Sequence, residues 1–513
     1  MTPYIFEKER PIVNTKYGKL RGVTFGGINI FMGVEYGKAK RFHMPEEVEP
    51  WEGIKDAYQH GPIAVQLNPT NPFKYYRGLH MLEKQSEDCQ NLNIWAPKAE
   101  KGAKIPVFVW MHGGGFFAGN AFEEISFDGF NMAYNGNVIF ISINHRLNIF
   151  GYLDLEEYAD DLWNSGNAGT ADLVMALKWI HENIEEFGGD PNNVTICGHS
   201  GGGGKVQCMY QIEECVPYFQ RGICLSGARA ASAYPNMDRE NSIKTAKALM
   251  DELGITKENI DKVYEIPTEE LVAAAGRIGG ARGCNPVQND YFPGFPTLTK
   301  LMPFSVDKPI IYSSTLGEMP VCKLTAEEKE AMNEEQKVEY LKTLYGDATV
   351  EMVKLFKEAY PNHDTIDLGY YDSRCRSAVV QSAEAHLKAG AKNVRMMLCA
   401  YDVPEDGYIP IWHGGEVAYI FQTERYVLCL NEEKYGQQYA NTLTTLVLNY
   451  VKTGDPNCEY LPQWDVATLD KMNTMIIDQE PVLKAGFDDK LVAMAAEHGP
   501  KRMPFPMAAP AKK

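Results

Sequence analysis

The feature that most constrains this chain is its alternation of short apolar, β-rich runs with longer helical patterns. The runs are 105–111 (Ile-Pro-Val-Phe-Val-Trp-Met), 138–144, 194–198, 221–226, 309–314, 393–401 and 474–478. Strand-sized runs separated by helices read as βαβ units, hence as an α/β fold with a central, mostly parallel twisted sheet. Between the second and third runs an amphipathic helix is expected over 170–186. Leu173, Ala176, Leu177, Ile180 and Ile184 recur there at helical spacing, and Gly188-Gly189 stops it. Two stretches, 235–305 and 320–390, are charged and helical with Pro and Gly breaks, and show no strand set of their own. They are read as insertions over one edge of the sheet within a single domain spanning 1–513. The last dozen residues read as frayed.

Composition excludes more than it selects. The 513 residues are 44% hydrophobic and 23% charged, as in ordinary globular proteins. Net charge is −18 and pI about 5.2, which repels phosphate backbones and anionic lipid, so no nucleic-acid or membrane-surface role is expected. Ile105–Met111 and Val138–Ile143 are far shorter than a membrane span. Met1 through Glu9 hold no apolar core like that of a secretory signal, so a cytoplasmic location is expected. Eleven cysteines is an odd count without any Cys-x-x-Cys, and Cys197, Cys224 and Cys399 sit in apolar runs. That supports neither a disulfide framework nor a structural zinc site. No His-Glu-x-x-His occurs, and metal catalysis is not expected.

Gly198-His199-Ser200-Gly201-Gly202 fits Gly-x-Ser-x-Gly. With glycine at 45 of 513 residues, the pattern arises by chance in roughly one such chain in five, so its context decides. Val194–Cys197 is a strand and a helix follows through Lys205 and Met209, the setting that forces a serine out at the carboxyl edge of a sheet. Gly201–Gly204 stand where a helix should begin, at a cost of about 1 kcal/mol each relative to Ala. Close approach of backbone to a substrate would account for them. A P-loop does not fit, because His199 and Val206 occupy its required Gly and Ser/Thr positions. His112-Gly113-Gly114-Gly115 follows strand 105–111 directly. Backbone N–H groups in such a loop can meet the oxyanion formed in acyl transfer, each contributing roughly 3–4 kcal/mol. Gly114, Gly115 and Gly201 are the candidate donors.

With these motifs in order, the chain resembles the type-B carboxylesterases, the cholinesterase-like branch of the α/β-hydrolases. The resemblance runs nearly end to end. It is carried by Thr15–Gly22, Phe31–Tyr36, Arg41-Phe42, Glu87–Ile94, Asn144–Leu147, Gly166–Gly169, Phe187–Pro191 leading into Ser200, and Thr453–Asn457 with Trp464. There are two departures. Val65 stands where secreted relatives often carry the partner of the cysteine at Cys89, which implies a free thiol. His199 replaces a glutamate beside the nucleophile, which argues against a choline-like, cation-preferring pocket.

Serine needs a base, and the base a carboxylate to orient it. Trp412-His413-Gly414-Gly415-Glu416, continued by Tyr419-Ile420-Phe421, resembles the family's catalytic-histidine loop. Glu318, just beyond strand 309–314, resembles its catalytic acid. Asp402 is the rival, eleven residues before His413. Glu416 is read as a structural ion-pair former. Phe116, Phe117, His199 and Trp412 are candidate pocket residues, and Ser226 is a family serine near the triad, expected to make a buried hydrogen bond. The reading is a serine carboxylesterase acting on small-molecule esters without a cofactor. The alternatives are a non-catalytic, adhesion-type relative and a transacylase using the same three residues.

Overall fold

The computed structural model describes residues 7–67, 84–230, 239–281, 284–319, 321–405, 407–431 and 435–500. The last dozen residues, read above as frayed, lie outside these, as do Met1–Phe6 of the N-terminus.

An eleven-stranded sheet is the centre of the molecule. In chain order its strands are β1 (Val23–Phe25), β2 (Ile28–Glu35), β3 (Asn91–Pro97), β4 (Ile105–Met111), β5 (Ile139–Ile143), β6 (Gly189–His199), β7 (Arg221–Leu225), β8 (Ile310–Thr315), β9 (Val394–Cys399), β10 (Asn473–Ile477) and β11 (Val482–Ala485). Their spatial order is β11-β10-β9-β8-β7-β6-β4-β5-β3-β2-β1. From β5 to β10 every neighbouring pair is parallel, and antiparallel strands close both ends. The seven apolar runs of the sequence are these seven parallel strands, to within a few residues at their ends.

Side chains alternate across a strand, so each run feeds two cores. From β4, Val107, Val109 and Met111 pack with Ile139, Ile141, Ile143, Val194 and Ile196 on one face. Phe108 and Trp110 point to the other face, with Phe140, Cys197, Ile223 and Phe421. The aromatic rings there meet edge-on, Trp110 to Phe421 at 4.9 Å and Phe140 to Phe421 at 5.0 Å. Each such buried side chain contributes about 1.5–3 kcal/mol.

The expected helix is Ala168–Asn183 (α1), continued by one 3-10 turn that ends at Gly188 with φ 86°. Its Asp172 holds Arg146 in a buried, two-pronged pair at 2.7 and 2.9 Å. Asn144 is tied to Tyr36 and Asn91 at 2.7 and 3.2 Å. The family-like landmarks near 36, 91 and 144–147 thus form one polar network at the sheet's edge. The described parts of 235–305 and 320–390 contain helices and no strand. The second stretch is not confined to an edge, however. Its last helix, Ser373–Lys388, lies on β8 and β9, with His386 Nε2 2.9 Å from the Tyr312 hydroxyl of β8. It therefore forms part of the layer that covers the sheet.

Candidate active site

Residues named in the sequence converge at the carboxyl ends of the parallel strands, where open α/β sheets place their sites. Ser200 ends β6 and caps α2 (Gly201–Met209). Its φ of 56° and ψ of −121° are a sharp turn outside the ordinary regions for a residue with a side chain. The Ser200 amide is bonded to the Leu225 carbonyl of β7 at 2.8 Å, which holds the turn in place.

The four glycines of α2 have a different cause from the expected one. They approach the protein's own chain. A Cβ on Gly201 would lie 2.2 Å from the Gly115 carbonyl oxygen, and one on Gly202 2.0 Å from that of Met111. On Gly203 it would meet Cys224 at 2.8 Å, and on Gly204 the Arg229 guanidinium at 2.7 Å. The glycines let the nucleophile helix seat directly on the glycine loop that follows β4. In that loop Gly114 and Gly115 have φ of 81° and 67°, and no backbone carbonyl of the described residues accepts from either amide.

Lys205, one turn into α2, has a role that the sequence does not reveal. It is wholly buried and its ammonium donates to the His112 carbonyl at 2.9 Å. Burial, and after it Arg229, pushes its pKa well down. It fastens the first residue of the glycine loop to the helix behind Ser200.

Glu318 and His413 are joined. Nδ1 of His413 is hydrogen-bonded to Oε2 of Glu318, while Oε1 of Glu318 accepts from the Thr315 amide at 2.9 Å. A carboxylate that only accepts requires the hydrogen on Nδ1, and the neutral form of that tautomer has its lone pair on Nε2. Nε2 is buried and has no hydrogen-bond partner. Backbone bonds fix the two segments: the His413 amide donates to the Glu318 carbonyl at 3.0 Å and the Gly317 amide to Ile411 at 3.1 Å. Glu318 is 0% and His413 6% exposed. Asp402 does not reach His413. It pairs across a two-residue ladder with Pro410 and faces His363, with 3.1 Å between Oδ1 and Nδ1.

His199 is buried, its ring 4.3 Å from that of His413. A Cβ on Gly414 (φ 87°) would come within 2.8 Å of it, so glycine at 414 makes room for this imidazole. Burial, then the neighbouring His413, holds its pKa well below the ordinary value. It stands as a neutral spacer between the nucleophile turn and the histidine loop.

Three readings are corrected. Glu416 makes no ion pair among the described residues, and it is fully buried. Its pKa is pushed up to about 8, first by burial and then by the charge of Glu318, with the Ser226 hydroxyl and the Gly414 and Glu416 backbone partly offsetting this. Ser226, buried with φ 46°, lies beside Glu416, but neither side chain has an aligned hydrogen bond. Phe116 is core rather than pocket wall, 0% exposed and edge-on to Tyr152 at 5.1 Å. Phe117 is half-buried beside Gly115, and the Trp412 ring packs against Gly415.

A model of the carboxylesterase family matches residues 9–495. The para-nitrobenzyl esterase of Bacillus subtilis is 30% identical over 492 residues, 91% of this chain and 95% of that protein. A solved esterase of Clostridium hathewayi, described as able to hydrolyse aliphatic aromatic polyesters, superposes with a TM-score of 0.90. It is 35% identical, over 97% of this chain and 99% of its own. A carboxylesterase of Geobacillus stearothermophilus gives 0.74 at 26% identity, over 94% of this chain and 99% of its own.

Proposed function

This chain belongs to the carboxylesterase family, with the α/β-hydrolase fold and a carboxylic ester hydrolase's activity, and from that premise we propose that it works through an acyl-enzyme on Ser200. The observation that carries the reading is the buried Glu318–His413 pair, with Nε2 left without a hydrogen-bond partner and the His413 ring 4.3 Å from that of His199, the residue before Ser200. Ser200 Oγ attacks the ester carbonyl as its proton passes to Nε2 of His413. Glu318 holds the imidazole tautomer and stabilises the imidazolium that forms. Negative charge on the carbonyl oxygen is met by the amides of Gly114, Gly115 and Gly201, which the packed glycines hold rigid before substrate arrives. The imidazolium then protonates the departing alcohol oxygen as the C–O bond breaks. Water, deprotonated by the same nitrogen, releases the acid. No step calls on a cofactor.

The substrates are small-molecule esters. A p-nitrophenyl and aryl ester series of graded acyl length tests the activity, with an alcohol acceptor added in a parallel arm. The reading expects turnover that stops in Ser200→Ala, with free acid as the main product. Transesterified product dominating at modest alcohol concentration would favour acyl transfer instead.

A further inference from the structure

On the far side of the histidine hairpin, three segments distant in sequence bring His363, Asp367, Asp402 and Asp478 together. His363 and Asp367 flank the start of the 3-10 turn Thr365–Gly369, Asp402 begins the short ladder after β9, and Asp478 follows β10. Nδ1 of His363 lies 3.1 Å from Oδ1 of Asp402 and 3.8 Å from Oδ2 of Asp367. One donor atom from each of the three falls within 4.8 Å of the others. The geometry points to a divalent transition-metal site in which His363 Nδ1, Asp367 and Asp402 are the ligands and Asp478 orients the imidazole from behind.

Three observations carry this. First, His363 is 3% exposed, yet neither ring nitrogen makes an aligned hydrogen bond, and Oδ1 of Asp402 makes none either. Nδ1 of His363 and Oδ1 of Asp402 lie 3.1 Å apart, a spacing that two ligands of one ion also share. Second, bonds of about 2.1 Å place neighbouring ligands roughly 3.0–3.5 Å apart; Asp402 at 3.1 Å from His363 Nδ1 meets that spacing, and Asp367 at 3.8 Å would have to move inward. Third, Nε2 of His363 faces Oδ2 of Asp478 at 3.5 Å. A carboxylate behind a ligating histidine is the usual device for fixing its tautomer. Three carboxylates around one imidazole carry up to three negative charges, of which a divalent cation offsets two and a single proton one. Asp402 and Asp478 are 25% and 18% exposed, which gives a cation a way in. The imidazole selects a transition ion over Ca²⁺ or Mg²⁺. Because Asp402 pairs with Pro410, three residues before His413, the cation would clamp the hairpin that carries the histidine to the sheet edge.

The test uses the full chain stripped with EDTA and titrated with MnCl₂, which avoids capture by thiols. Loss of the free-ion EPR signal should report one site per chain, with a matching rise in Tm. Pulsed EPR of the bound wild-type ion should show coupling to one imidazole nitrogen, a readout that needs no variant. His363→Gln should abolish that coupling, and Asp478→Asn should weaken binding about 10- to 100-fold. CaCl₂ at equal concentration should leave Tm unchanged. A bound ion without nitrogen coupling, binding indifferent to His363→Gln and Asp402→Asn, or no binding at all would overturn the site and leave His363 an imidazolium held by carboxylates. Because the titration reads no ester turnover, its failure would not touch the acyl-enzyme reading.

Discussion

Glu318 and Asp402 both sit just past parallel strands of the sheet, and their side chains face different histidines. The Glu318 turn is bonded backbone to backbone with the strand entering His413, whereas Asp402 is turned toward His363. We therefore expect Glu318→Gln to lower kcat by about 10⁴, by the wrong-tautomer effect, with folding intact. Asp402→Asn should cost far less, and steady-state kinetics on the two variants would expose a reversed ranking. Glu416 makes a second prediction. Its folded pKa of about 8 lies above the ordinary 4.5, so the folded state keeps a proton that the unfolded state releases. The stability this brings is complete below about pH 4.5 and is lost as pH rises through about 8, on a scale of about 1.4 kcal/mol per tenfold change in proton affinity. Urea unfolding at pH 6 and 9 should show a smaller loss in Glu416→Gln than in the wild type. Equal losses would mean the carboxyl is ionised throughout. Sequence reasoning misread this residue because a glutamate's charge is visible in the letters and its burial is not.

The elements that position the site depend on one seam, where α2 lies on the glycine loop after β4. Its strength rests on the bare backbones of Gly201 and Gly202 and on the Lys205–His112 bond. Lys205→Met keeps the stem and removes the donor, leaving a buried carbonyl unpaired at a cost of about 1.5–3 kcal/mol. If the loop holds the oxyanion, kcat should fall about 10- to 100-fold, with KM changed much less. A variant that is merely less stable, with kcat intact below its Tm, would separate the lysine from the loop's function. The seven parallel strands were legible because they are buried on both faces and read as continuous apolar runs. The four antiparallel strands were not. In β2 the sequence Ile-Asn-Ile-Phe-Met-Gly-Val-Glu is only partly buried and mixes polar residues and glycine among the apolar ones, and β3 buries Asn91 and Asn93 as network members. The role of Ser373–Lys388 as a sheet layer also escaped, since a charged helix looks alike whether it covers a face or an edge.

Across the whole molecule the sheet separates two cores, and most of the cysteines pack into one or the other. None of the eleven is in a disulfide, and eight of them are buried. Cys89 packs with Ala64 and Leu147 beside the segment that holds Val65. Thiol titration of the denatured, unreduced protein should therefore return close to eleven groups, and a count near one would contradict this packing. At this scale the residues proposed as nucleophile, base and acid were legible in the letters because each follows a readable strand. His199 and Lys205 were not, because their roles come from contacts across elements. The central claim is that these elements converge to make one serine the nucleophile. Its most direct measurement is labelling with a fluorophosphonate and mapping of the modified peptide by mass spectrometry. The account predicts a single adduct on Ser200, formed in step with loss of esterase activity and absent in Ser200→Ala. An adduct on any other residue, or full activity in Ser200→Ala, would contradict it.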